Sequence, residues 1–180
     1  MDERVPKYPT DKLRTNVAKM LVAVIGFILV VAYGTVALSA QDLAWFLTGF
    51  AVRPERVAVY HDGQRTEYLS GDSDFDRLVE AVRASLASGV ARPSGIGMSA
   101  DSLQDAYSQF VTVEAFFAQP VKLHAWINTA HPTQMLFPIT GRHSDQPLVL
   151  LGGSGQYLSN APVLNSVQPL RDVLQSMGLY

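Results

Sequence analysis

The sequence contains no cysteine. That excludes disulfides, thiolate zinc sites, cysteine nucleophiles and a lipoprotein anchor. It also contains no Asn-x-Ser/Thr sequon, since Asn16, Asn128, Asn160 and Asn165 all lack a hydroxyl residue two places on. Both absences suit a bacterial envelope protein. Charge is scarce as well, at 17% of residues, a low share for a water-soluble chain. None of it falls between Lys19 and Asp42. Beyond that gap nine basic residues stand against thirteen acidic ones, and Lys122 is the only lysine. Such a mildly acidic region has no basic stripe to neutralise phosphates, so no nucleic acid is expected as a partner.

The uncharged gap is what the sequence has in abundance. Residues 20–41 form a run of 22, with 20–38 its apolar heart. At about 1.5 Å per residue a helix of that length crosses a hydrocarbon core of about 30 Å. Only a helix satisfies its backbone within a single lipid-embedded segment. Gly26 and Gly34 are tolerated in such a helix, and Gly34 shares a face with Val30 and Leu38 where a small-residue contact could form. Arg4, Lys7, Lys12, Arg14 and Lys19 precede the run, whereas only Arg53 and Arg56 follow it closely. The positive-inside rule then places the N-terminus in the cytoplasm and the rest of the chain outside. Ala37-Leu38-Ser39 resembles a signal-peptide cleavage site. The apolar core, however, is longer than the roughly 7–15 residues of a signal peptide, which favours an uncleaved anchor. Trp45, Phe46 and Phe50 are placed to form an interfacial aromatic belt or to pack a short helix on the domain.

The expected organisation is a cytoplasmic tail at 1–19, a transmembrane helix at 20–41, a juxtamembrane linker at 42–54 and an extracytoplasmic domain at 55–180. In the domain, residues 56–60 alternate as a strand, Asp62-Gly63 signals a hairpin and 64–69 returns. Phe75, Leu78, Val79, Val82 and Leu86 mark an amphipathic helix, with Ser73 as its cap, Asp76 in capping-box position and Gly89 as its stop. Residues 90–97 read as a loop, and Ser99 starts a short helix. Residues 110–117, 121–127, 135–140 and 148–151 read as strands, with Pro138 suited only to an edge. Residues 156–158 make a further short strand, and a helix carrying Leu170, Val173, Leu174 and Met177 closes the chain, with Pro169 in its first turn and Gly178 as its stop. The order predicts an α+β fold. Its antiparallel sheet has about five to seven strands, and two to three helices pack on one face.

Candidate sites are few. Gly95-Ile96-Gly97-Met98-Ser99-Ala100 has the letters of a dinucleotide fingerprint, but no buried strand precedes it and no acid lies about 20 residues on. Gly152-Gly153-Ser154-Gly155 falls short of a nucleophile elbow, because Gln156 replaces its second glycine. It reads as a hairpin turn. Asp72, Asp74 and Asp76 lack the glycine and glutamate of a calcium loop and read as helix capping. Of His61, His124, His131 and His143 no pair has metal-ligand spacing, and the set worth testing is His124 and His131 with Glu114. Glu114 is the one acid in an otherwise apolar strand and is expected to face solvent or to pair with an arginine. If it lined a cleft it could do proton chemistry.

No catalytic, cofactor or metal residues are therefore assigned. The expected partners are the lipid bilayer and another membrane or envelope protein, with the chain acting as an anchored accessory subunit. A small-ligand sensor is the alternative. Less favoured is an envelope hydrolase using Glu114, or Ser154 with His131 or His143. A face shared by Lys122, His124 and Trp126 would be a plausible partner surface.

Overall fold

The structure is a computed structural model that describes residues 10–180, with side chains in the first helix from Asn16 onward. Most of the basic lead before the apolar run lies outside the described side chains. Helix α1 (Thr10–Ala40) begins ten residues ahead of the apolar run, and its stretch from Asn16 is long and apolar enough to cross a membrane. Phe27, Leu29 and Val30 are all more than half exposed. A helix apolar on every side needs an apolar surrounding. Gly26 and Gly34 face open space. The helix ends in a Schellman closure: Gln41 takes φ 54°, its N–H donates to Leu38 O, and Asp42 N–H donates to Ala37 O.

A six-stranded antiparallel sheet follows. Strands β1 (Arg56–His61) and β2 (Gln64–Leu69) form the expected hairpin. Asp62 and Gly63 are both at positive φ, as a type I′ turn requires. Next come α2 (Phe75–Ala87), β3 (Val90–Pro93), α3 (Ala100–Ser108), β4 (Thr112–Phe116), β5 (Gln134–Pro138), β6 (Leu150–Gly153), β7 (Gln156–Tyr157), β8 (Pro162–Leu164) and α4 (Gln168–Ser176). The sheet order is β2-β1-β4-β5-β6-β7, and β3 pairs with β8 in a small second sheet.

Both faces of the main sheet are covered. Two helices, α2 and α4, share one face, where Leu78, Val82, Leu86, Leu170 and Leu174 meet Val57, Val59, Val113, Met135 and Phe137. On the other face Leu103 and Tyr107 of α3, with Ile96 and Met98 ahead of it, pack in one cluster with Leu136 and Leu150 of the sheet and Val163 of β8. That second layer explains why residues 112–115 are buried on both sides, with Val113 and Ala115 toward α2 and α4 and the polar Thr112 and Glu114 enclosed on the opposite face.

Several local readings change. The cap of α2 is Asp74 without a side-chain bond, not Ser73. Residues 90–93 pair with β8 instead of looping. Residues 121–127 keep the predicted alternation, with Val121, Leu123 and Ala125 buried, but form no ladder. Pro138 ends β5, an internal strand. Ile139 N–H donates to Val111 O on the β4 side, so the Pro138 nitrogen faces β6, whose pairing has already stopped at Leu136. The missing N–H therefore costs no ladder bond.

Candidate functional site

Glu114 sits mid-strand in β4, beside Ala58 on β1 and Leu136 on β5. Thr112 and Glu114 point away from the α2/α4 core, and the layer built by α3 closes over them. Glu114 is 2% exposed. It neither faces solvent nor meets an arginine, contrary to expectation. A buried carboxylate must be hydrogen-bonded, and four donors converge on it. Tyr60 hydroxyl donates to Oε2 at 2.9 Å. Gln134 Nε2 (2.9 Å), Tyr107 hydroxyl (3.2 Å) and Tyr157 hydroxyl all donate to Oε1. These groups come from β1, β5, α3 and β7, so one side chain ties four elements together. Gln134 in turn accepts from Gly155 N–H at 2.8 Å, fixing the β6–β7 turn.

The surrounding groups are held in their donor forms. Burial, then the Glu114 charge and hydrogen bond, push the Tyr60 phenol up to about 12, against the opposing pull of Arg65. Burial also raises Tyr107 and Tyr157, with the Glu114 charge adding to both. Phenols raised this far stay protonated and donate. Three of the four donors share Oε1 and one meets Oε2, so the carboxylate is enclosed by donors and is shut off from solvent. Outward from it, Arg65 Nε donates to Tyr60 hydroxyl at 3.1 Å. Glu67 bridges Arg65 and Arg56, whose guanidiniums hold it below the usual carboxylate range. Arg56 caps the Phe116 ring at 3.7 Å.

The other candidate residues stay apart. Ser154 (φ 54°) and Gly155 (φ 77°) form the β6–β7 turn, consistent with a hairpin. Ser154 lines a groove with Arg56 and Gln134, whereas His131 lines another of about 360 Å³ with Thr133, Gly152 and Tyr157. His143 is an exposed loop residue at φ 67°. The N–H groups of Gly95 and Ile96 are bonded by Asn160 and Ser94 side chains, so this loop has no free cradle there for a phosphate. Asp72 accepts from Leu69 N–H, and Asp74 and Asp76 pair with Arg77 and Arg53. Among the described residues no three His, Asp or Glu side chains are placed to hold a metal ion, and His124, His131 and Glu114 do not form a set.

His124 belongs instead to a second cluster, at the junction of helix and domain. Asp42, directly after the Schellman turn, is 5% exposed. Its carboxylate receives Lys122 Nζ at 2.9 Å, Ala44 N–H at 2.9 Å and His124 Nδ1 at 2.7 Å. Burial pushes its pKa up, but the bonds from Lys122, His124 and Ala44 outweigh that and hold it at about 2. The alternation of 121–127 is what aims Lys122 and His124 at Asp42, and Trp126, next in that row, stays exposed. Phe50 anchors the following segment in the core, edge-on to Phe117 at 5.8 Å. Sequence reasoning singled out Glu114 and His124 but not Tyr60, Tyr107, Tyr157 or Asp42. The available signal was the need of a lone acid in an apolar strand for donors. No family model, no curated protein and no solved structure matches the chain.

Proposed function

We propose that the chain is a non-enzymatic accessory protein. Its N-terminal helix stays in the membrane as a signal-anchor, its domain lies on the extracytoplasmic side, and it binds another membrane or envelope protein. The observation that carries this reading is the Asp42 clasp. A domain that needs only retention at a membrane is served by a loose linker. Here the buried carboxylate joins the helix end to Lys122 and His124 of the domain, so the helix fixes which face the domain presents to its neighbours. Orientation rests on the basic residues before the apolar run. The closed-off Glu114 cluster, 2% exposed and ringed by four donors, favours this reading over a hydrolase. A ligand sensor calls for a pocket lined by several aromatics, and the groove at His131 contributes Tyr157 alone.

Two measurements test it together. Because the chain has no cysteine, an Asp145→Cys variant reports topology through a membrane-impermeant maleimide. Labelling of intact cells is expected, and labelling only after lysis overturns the orientation. Isolation of the full chain in mild detergent should recover one companion membrane protein in constant ratio. Repeated recovery of the chain alone, from cells cross-linked beforehand, overturns the accessory reading.

A further inference from the structure

The reversal that ends α1 sends the chain back along the helix, not away from it. Asp42 N–H donates to Ala37 O, and Leu43 O then accepts from the Tyr33 hydroxyl at 2.5 Å. Phe46 follows, its ring 6.2 Å from that of Tyr33, with Trp45 edge-on to it at 5.9 Å. Residues 42–47 therefore lie beside the last two turns of the helix, which rise about 10 Å between Tyr33 and Ala40. On those turns Ala37 and Ala40 are buried. Yet Leu43 is 73% exposed, Phe46 56%, Leu47 50%, and Leu38 on the helix 81%. Residues 43–52 carry no charge, and the one nearby acid, Asp42, has its carboxylate bonded inward to Lys122 and His124.

We propose that the turn at 43–47 is a wedge seated in the same bilayer that α1 crosses, on the domain's side, with lipid at the headgroup–acyl boundary as its occupant. This rests on the anchor reading above. Continuity identifies lipid: Leu43, Phe46 and Leu47 extend the apolar surface of the helix sideways without a polar break. The depth agrees, because interfacial apolar segments bury about 5–10 Å into that boundary. The side chains agree too, since the tyrosine and tryptophan beside the wedge are residues that settle at membrane interfaces. The domain then sits flush on the membrane.

The test uses the full chain in phosphatidylcholine–phosphatidylglycerol vesicles that hold no other protein. Single variants Phe46→Cys and Leu47→Cys carry a polarity-sensitive fluorophore, beside Leu29→Cys in mid-helix and Asp145→Cys on a distal loop. Probes at 46 and 47 are expected to emit blue-shifted from the probe at 145 and to be quenched more by a nitroxide near the headgroup than by one deep in the acyl chains. The unlabelled Trp126→Phe chain, in which Trp45 is the only tryptophan, should be quenched by lipid brominated near its carbonyls. If 46 and 47 match 145 while 29 lies in lipid, the wedge is overturned and the anchor stands. If 29 is also aqueous, the anchor falls and takes the wedge with it. Shielding of 46 and 47 in native membranes but not in vesicles would make the occupant a protein and overturn the assignment to lipid.

Discussion

Replacing Glu114 by leucine removes the acceptor shared by Tyr60, Tyr107, Tyr157 and Gln134. Leucine fits an apolar layer, so packing alone predicts a mild effect. The hydrogen-bond ledger predicts a large one. Three hydroxyls and an amide are left in a closed layer, at about 1–3 kcal/mol for each donor that cannot reach water. Release of the buried carboxylate's desolvation cost offsets part of this, leaving a net loss of about 3–5 kcal/mol from four donors at that cost each. For a domain of this size each kcal/mol shifts the melting temperature by about 2–4 °C, so a fall of about 10 °C is expected. The assay is thermal unfolding of the full chain in detergent, followed by near-ultraviolet circular dichroism. A second variant makes the reasoning specific. Tyr157→Phe alone should cost about 1.5–3 kcal/mol as a lost charge-assisted bond. In the Glu114→Leu background the same change removes an orphaned donor and should cost close to nothing. A Glu114→Leu loss under about 1 kcal/mol, or additive costs in the double variant, would refute the account of Glu114 as the common acceptor.

Further outcomes follow from the same two clusters. Tyr60 is raised to about 12, and Tyr107 and Tyr157 are also raised above 10. Their stabilising contribution is complete below about pH 10 and is lost as pH rises through the folded values, at about 1.4 kcal/mol per unit per tyrosine. Phenolate absorbance should therefore show these three ionising only as the fold gives way; a single wave near pH 10 with circular dichroism intact would contradict this. Asp42 titrates in the opposite sense. Its folded value of about 2 lies below the ordinary 3.8, so its contribution holds above about pH 4 and is lost as pH falls toward 2. Asp42→Asn should loosen the junction by about 1–2 kcal/mol, seen as broadened spin-label distances between α1 and the domain; an unchanged distribution counts against a clasp. Gly152→Ala would place a Cβ 2.0 Å from Gln156 O, a backbone clash expected to cost about 3 kcal/mol and to detach β7. A melting temperature equal to that of the parent would disprove that packing.

Periodicity made much of the fold legible. The apolar run, the Asp62-Gly63 hairpin, the stripe of α2, the Ser99 cap and the Pro169–Gly178 limits of α4 are local signals, each set by chemistry within a few residues. Residues 121–127 show the boundary of that logic: alternation reports burial on one side, and whether a neighbouring strand offers its N–H and C=O groups is a tertiary fact. Pro138 shows it again, since its tolerance depends on where the β6 ladder stops and not on the proline itself.

The candidate sites divide in the same way. Sequence by itself determined that one helix is too apolar for water, that no thiol chemistry is possible, and that Glu114 stands alone among apolar neighbours. Only the tertiary structure decided what meets that carboxylate. Tyr60, Tyr107, Gln134 and Tyr157 span 98 positions of chain, and no local pattern links them. The same holds for Asp42 and His124, which are 82 residues apart. Hydrophobic periodicity is written along the chain because each residue senses its own burial. Polar partnership depends on a pair of residues, and the pair exists only once the sheet has brought distant strands together.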